Sequence, residues 1–280
     1  MNTSQAQDTH LSVRRSLTLI YALSVLIALL MAAASVAGLL VRATVYPTDE
    51  LVQAFVPNDV VTLLVGLPIL LGSMWLAQRG RQIGLLLWPG ALFYVLYNYL
   101  VYVLAMPFGA AFLLHVVLLL LSAYTLIALL ASIDGSAVQQ QLDGSVPERV
   151  AGGILAGLGL LFALRAAAVM IGALASQAAM VDTEVALNVT DMTIGPALVI
   201  GGVSLWRRME FGYVTGLGLL FQTSMLFIGL IIVLLVQPFL TDAPFALFDV
   251  IVVLIMGLIS FVPFALFVRG VASGRGSSPT

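Results

Sequence analysis

The stretch AGGILAGLGLLFALRAAAVMIGALAS, residues 151–176, is apolar from end to end except for Arg165 near its middle. A run of this length reads as a helix that crosses a bilayer, for which about 20 residues suffice. A guanidinium inside such a helix costs about 2.5–3.5 kcal/mol on insertion scales. Arg165 therefore needs a partner, a water-filled cavity or a route to the surface. The rest of the chain has to supply one of these.

The 280 residues are 61% hydrophobic and 9% charged, where soluble domains carry about 25% charged residues. A soluble globule of this size could not hide so much apolar surface, so lipid is the expected solvent. There is no cysteine, which excludes disulfides, thiolate metal sites and cysteine nucleophiles. All 11 basic residues are arginine, which excludes Schiff-base lysines and a phosphate-loop lysine. The net charge of −2 carries no footprint of nucleic-acid binding.

Seven further apolar runs accompany residues 149–176. The pattern predicts helices over 16–41, 58–77, 83–105, 108–133, 190–206, 211–236 and 245–268. Ala32–Ala37 has the small residues of a signal-peptidase site. The run continues through Val41, however, and exceeds a signal h-region, so it is read as a retained helix. Residues 42–57 read as a polar connection holding a short interfacial helix. The expected fold class is all-α: a polytopic membrane protein with eight transmembrane helices.

Nine of the 11 arginines fall on the side of the N-terminus: Arg14, Arg15, Arg79, Arg81, Arg149, Arg207, Arg208, Arg269 and Arg275. The positive-inside rule then places both termini in the cytoplasm of a cell-membrane, multi-pass protein.

An internal echo divides the chain. DVVTLLVGLPILLGSMWLAQRG from Asp59 and DMTIGPALVIGGVSLWRRMEFG from Asp191 share Asp, Pro, Gly, Ser, Trp and Arg in the same order. The register is 132 at the aspartates and 131 at Trp75 and Trp206. The expected organisation is two parallel four-helix repeats, residues 1–133 and 149–270. A cytoplasmic linker, 134–148, joins them, and a disordered tail, 271–280, follows. Arg165 breaks this symmetry, because its counterpart is Ala33.

Counting about 1.5 Å per residue places several polar groups in one layer, on the side away from the termini. They are Arg165, Asp249, Asp59, Asp191, His115 and Asn98, with Tyr94 and Tyr102 one turn to either side of Asn98 on the same helical face. Asp249, the deepest carboxylate, is the expected partner of Arg165, followed by Asp59 and Asp191. These eight residues form the candidate ligand site, an outward-facing cavity with Arg165 near its floor. The alternative is local interhelical hydrogen bonding with no cavity.

Transport or binding of a small solute, polar or anionic, is the leading functional expectation. A lipid-modifying membrane enzyme using Asp59, Asp191 and His115, and a non-catalytic membrane subunit, are the other two. No cofactor, catalytic or metal motif is present; the only histidines, His10 and His115, are far apart in sequence. The expected surroundings are a lipid bilayer and no nucleic acid. Gly153-xxx-Gly157 and Gly212-xxx-Gly216 mark close helix contacts, either internal or between copies in a homo-oligomer. Asn188-Val189-Thr190 matches a glycosylation sequon.

Overall fold

A computed structural model describes residues 12–241 and 244–273. The described residues are helical apart from connections and one antiparallel bridge, Val13 to Ile133. The elements are α1 (Thr18–Leu40), a single turn α2 (Arg42–Val45), α3 (Asp49–Val61), a π-helical turn (Thr62–Gly66), and α4 (Leu67–Gln78). Then come α5 (Gln82–Ala105), α6 (Ala110–Ser132), α7 (Gly135–Leu142) and α8 (Glu148–Ser176). The chain closes with α9 (Asp182–Trp206), α10 (Glu210–Leu240) and α11 (Leu247–Ser273). Eight helices are long and apolar enough to cross a membrane, with α3, the π turn and α4 counted as one of them.

Several helices are longer than hydropathy predicts. Of the polar stretch before Asn58, residues 42–45 form the separate single turn α2, and residues 49–57 are the first turns of the second long helix. Thr48 caps it by accepting a hydrogen bond from the Leu51 amide, and Asp49 and Glu50 complement the first-turn dipole. Pro57 lies inside α3 without ending it. The sixth span likewise begins at Asp182 rather than Thr190, because Asp182 and Glu184 belong to its first turn. The 134–148 connection is folded: Asp134 caps α7, whose Val138 and Leu142 are buried. The helix of α11 takes in the first residues assigned to the tail; residues 274–280 lie outside the described part.

Ion pairs and loop contacts define two ends. The near end holds residues 12–16, the turns at 79–81 and 207–209, and α7. There Arg14 pairs with Asp134 and Arg208 with Asp143 and Glu148. The far end holds α2 and the α8–α9 connection, where the Thr183 hydroxyl and amide donate to Glu50.

In the first half α1 packs on α3, α4 and α6, while α5 packs on α4 and α6. In the second half α8 packs on α9 and α11, while α10 packs on α9 and α11. The halves meet through α5, which also touches α9 and α10. At the α5–α10 crossing Gly90 and Gly218 bring the two backbones together, leaving no room for a Cβ on either. The most apolar window of α5 is 72% buried, against 22% for α8 and α11. Thus α5 is the central pillar and α8 a peripheral helix.

The near-end turns of the two halves have the same geometry. Gly80 N–H donates to Ala77 O and Arg81 N–H to Leu76 O; Arg208 N–H donates to Leu205 O and Met209 N–H to Ser204 O. Gly80 and Arg208 both occupy the left-handed region, with φ of 70° and 55°. Gly84 and Gly212 then each lie against the backbone of the preceding helix. Every pair is 128 residues apart, not the 131–132 of the Asp and Trp echo. In this register Trp75 aligns with Val203 rather than Trp206.

Candidate functional site

The seam between α8 and α9 explains where Arg165 goes. Gly152 lies against the Gly202 backbone, and Gly159 against that of Gly195. Both glycine pairs are seven residues apart, so the helices approach closely over two turns in an antiparallel register. Carried toward the far end, the same register sets Arg165 opposite Val189, within a turn of Asp191, and its long side chain spans the difference. Arg165 Nη2 donates to Asp191 Oδ2 at 3.0 Å. From α5, Tyr97 Oη donates to Asp191 Oδ1 at 2.8 Å. The aspartate side chain is 9% exposed and the arginine 48% exposed.

This corrects the expected Arg165–Asp249 pair. Asp249 lies in the first turn of α11, is exposed, and makes no ion pair among the described residues. Depth along a helix says nothing about which face a residue occupies, and the glycine seam commits Arg165 to α9.

Asp59 forms a second and separate centre. Tyr46 Oη donates to its Oδ2 at 2.6 Å and Tyr102 Oη to its Oδ1 at 3.1 Å. Asn58 Nδ2 donates to Tyr102 Oη at 3.1 Å and to Asn98 Oδ1 at 2.9 Å. Asn98 Nδ2 reaches Thr62 Oγ1 at 3.4 Å. His115, from α6, stacks beside this group, with ring centroids 4.6 Å from Tyr102 and 5.6 Å from Tyr99. Its Nδ1 is buried without a hydrogen-bond partner. Gly38 of α1 closes the centre from the opposite side, where a Cβ would overlap the Asp59 carboxylate and lie 2.7 Å from the Tyr46 hydroxyl.

Tyr46 is in the α2–α3 connection, outside the spans. Burial pushes its phenol well above the usual range, and the Asp59 charge beside it adds to the shift. It therefore remains a donor. The same tyrosine lines a polar far-end pocket of about 690 Å³, together with Arg42, Asp49, Gln53, Pro238 and Thr241. A smaller apolar pocket of about 210 Å³ lies among Pro89, Phe93, Leu126, Ala197 and Leu219.

Of the eight sequence candidates, Asp59, Asn98, Tyr102 and His115 come together. Arg165 and Asp191 form the second centre. Tyr94 is buried against Gly66 and Gly229, outside both hydrogen-bond groups. Arg165 is not among the walls of the polar pocket. The expected single layer around Arg165 is thus two centres, joined through the tyrosines of α5.

Tyr46, Asn58 and Gly38 are site residues that sequence reading passed over. A tyrosine in a connection resembles an ordinary interface aromatic, and a glycine in an apolar run carries no chemistry of its own. The sequon Asn188 is buried in α9, with its Nδ2 on Glu184 O at 2.8 Å. Gly153 packs on the Trp206 ring, Gly157 meets nothing, and Gly212 and Gly216 pack on Leu205. Among the described residues no group of three or more His, Cys, Asp or Glu is placed to hold a metal ion. Comparison of the chain with protein-family models, curated proteins and solved structures finds no match.

Proposed function

We propose that this chain is an integral membrane protein that binds or transports a small polar solute. The far-end pocket is the mouth of its site, and the Asp59 centre lies beneath it. One observation carries this reading: Tyr46 is at once a wall of the polar pocket and a hydrogen-bond donor to a buried carboxylate. Ionisable groups held at span depth are expensive and serve function more often than packing. The π turn that starts three residues after Asp59 supports the same view, since such turns concentrate at functional sites.

Arg165 is not the solute's counter-ion in this reading. Asp191 already balances its charge, which removes the main reason to favour an anionic solute. The arginine-rich near end faces the cytoplasm of a cell membrane by the positive-inside rule. The two halves are a four-helix repeat; the matching near-end turns and the parallel packing order support that reading.

The test is a thermal-stability screen of small polar solutes on the purified protein, Asp59→Asn and Arg165→Ala. A solute of this site raises the melting temperature of the parent and of Arg165→Ala, and leaves Asp59→Asn unmoved. Equal stabilisation of the parent and Asp59→Asn by every active solute would sink the proposal.

A further inference from the structure

We infer that Asp59 is a gated proton-binding carboxyl that exchanges with far-end solvent when the Tyr46 side chain withdraws. The inference rests on the far-end pocket as entrance and supplies the solute site with a coupling ion.

Charge balance is the first ground. Asp134, Asp143, Glu148 and Asp191 each have an arginine within 4 Å, and Asp59 has none among the described residues. The groups facing it are neutral or phenolic: Tyr46 from the connection, Tyr99 and Tyr102 from α5, His115 from α6, Gly38 from α1. Elsewhere along α3, α9 and α10 approach through Thr183, Gly229 and Gln237, none of them charged. A carboxylate sealed without a cation is costly, and a bound proton removes the charge without displacing any neighbour.

The hydrogen-bond geometry accommodates both forms. In the ionised form Oδ1 and Oδ2 accept from Tyr102 and Tyr46. In the protonated form Oδ1 still accepts from Tyr102, while the new Oδ2–H donates to Tyr46 Oη. The proton comes from a hydronium ion in the far-end pocket, which departs as water. The C–O bonds of the carboxyl stay intact and no electron transfer is involved.

Access is the second ground. Tyr46 is 2% exposed and is the one residue that both lines the pocket and bonds Asp59. Its ring is a plug: it conducts no proton itself and must move. His115 supplies the third ground. It is 2% exposed, its Nδ1 lacks a partner, and its ring lies tilted against that of Tyr102, so it can accept or donate when the network rearranges.

The experiment is infrared difference spectroscopy of the whole protein in lipid, acidic minus alkaline buffer, in H₂O and D₂O. A carboxylic C=O band should appear in the parent, Tyr46→Phe and Asp191→Asn, and vanish in Asp59→Asn. Tyr46→Ala should accelerate its H/D exchange at least about tenfold over Tyr46→Phe, because both variants lack the hydrogen bond to Asp59 and only phenylalanine keeps the ring that plugs the path. A band that persists in Asp59→Asn overturns the carboxyl assignment. Equal exchange in Tyr46→Ala and Tyr46→Phe overturns the gate. Should Asp59→Asn not fold, Asp59→Glu replaces it, and a band left unshifted by that change counts against the inference. A titrating band alongside a failed solute screen leaves the proton site standing and removes the solute reading.

Discussion

Asp59 and Asp191 are two answers to the same problem, a carboxylate buried in a span. Asp191 is met by an arginine from α8 and a tyrosine from α5. Asp59 is met by two tyrosine hydroxyls and, among the described residues, no cation. The first solution is electrostatic: one fixed charge balances another, and nothing need enter or leave. The second satisfies the oxygens but leaves the charge to be settled by something mobile. The difference is between a carboxylate with a fixed counter-charge and one held only by neutral donors.

The largest test of this contrast is Arg165→Ala, which strands the Asp191 charge. It should cost about 3 kcal/mol, the low end for breaking a buried pair, because the guanidinium is half exposed. Adding Asp191→Asn should restore most of the loss in thermal or denaturant unfolding. A double variant no more stable than Arg165→Ala would break the contrast. Next in size is Gly38→Ala, which drives a methyl into the Asp59–Tyr46 contact and should cost about 2 kcal/mol as overpacking. The same change in the other centre has no analogue, so Gly38→Ala should leave the Arg165–Asp191 double-mutant coupling unchanged.

Tyr97→Phe removes one donor to a charged oxygen and should cost about 1.5 kcal/mol, with Arg165 still in place. The smallest effect belongs to an exposed pair at the near end. The Ser136 hydroxyl and then Arg14 hold the Asp134 carboxyl down to about 2. The native value lies below the unfolded one, so this stabilisation is present above the ordinary carboxylate range. It is lost as pH falls from that range through about 2. Hydrogen exchange at the Arg14 and Asp134 amides should rise in that window, and Arg14→Ala should abolish most of the change.

Much of the architecture was legible because long apolar runs bounded by polar residues mark long helices directly. Eight helices and their order follow from apolar runs alone. The helix ends were not legible at α3 and α9, where the first turns are polar and Pro57 looks like a boundary. The candidate site was half legible. Asn98 and Tyr102 share a helical face, and the structure brings them to Asp59 and His115. The partner of Arg165 was misread because depth was used without facing. Part of the signal was nonetheless present: Gly152 and Gly159 share the spacing of Gly195 and Gly202, and an antiparallel seam in that register brings Arg165 within a turn of Asp191. Tyr46 and Gly38 carried no such signal, since their importance arises only from what they touch.

One feature of the near-end turns bears on how the two carboxylates came to differ. Asp59 lies 21 residues before Gly80, and Asp191 lies 17 before Arg208, its positional equivalent. Four extra residues, one of them taken up by the π turn, lift Asp59 about 4.5 Å further toward the far end. The pillar α5 records a similar step: its tyrosine for Asp59 is five residues, or about 7.5 Å, beyond its tyrosine for Asp191. The offset sets the Asp59 carboxylate against Tyr46, which is also a wall of the far-end pocket. Asp191 has no such neighbour at the pocket wall and keeps a fixed pair of partners, the Arg165 guanidinium of α8 and the Tyr97 hydroxyl of α5.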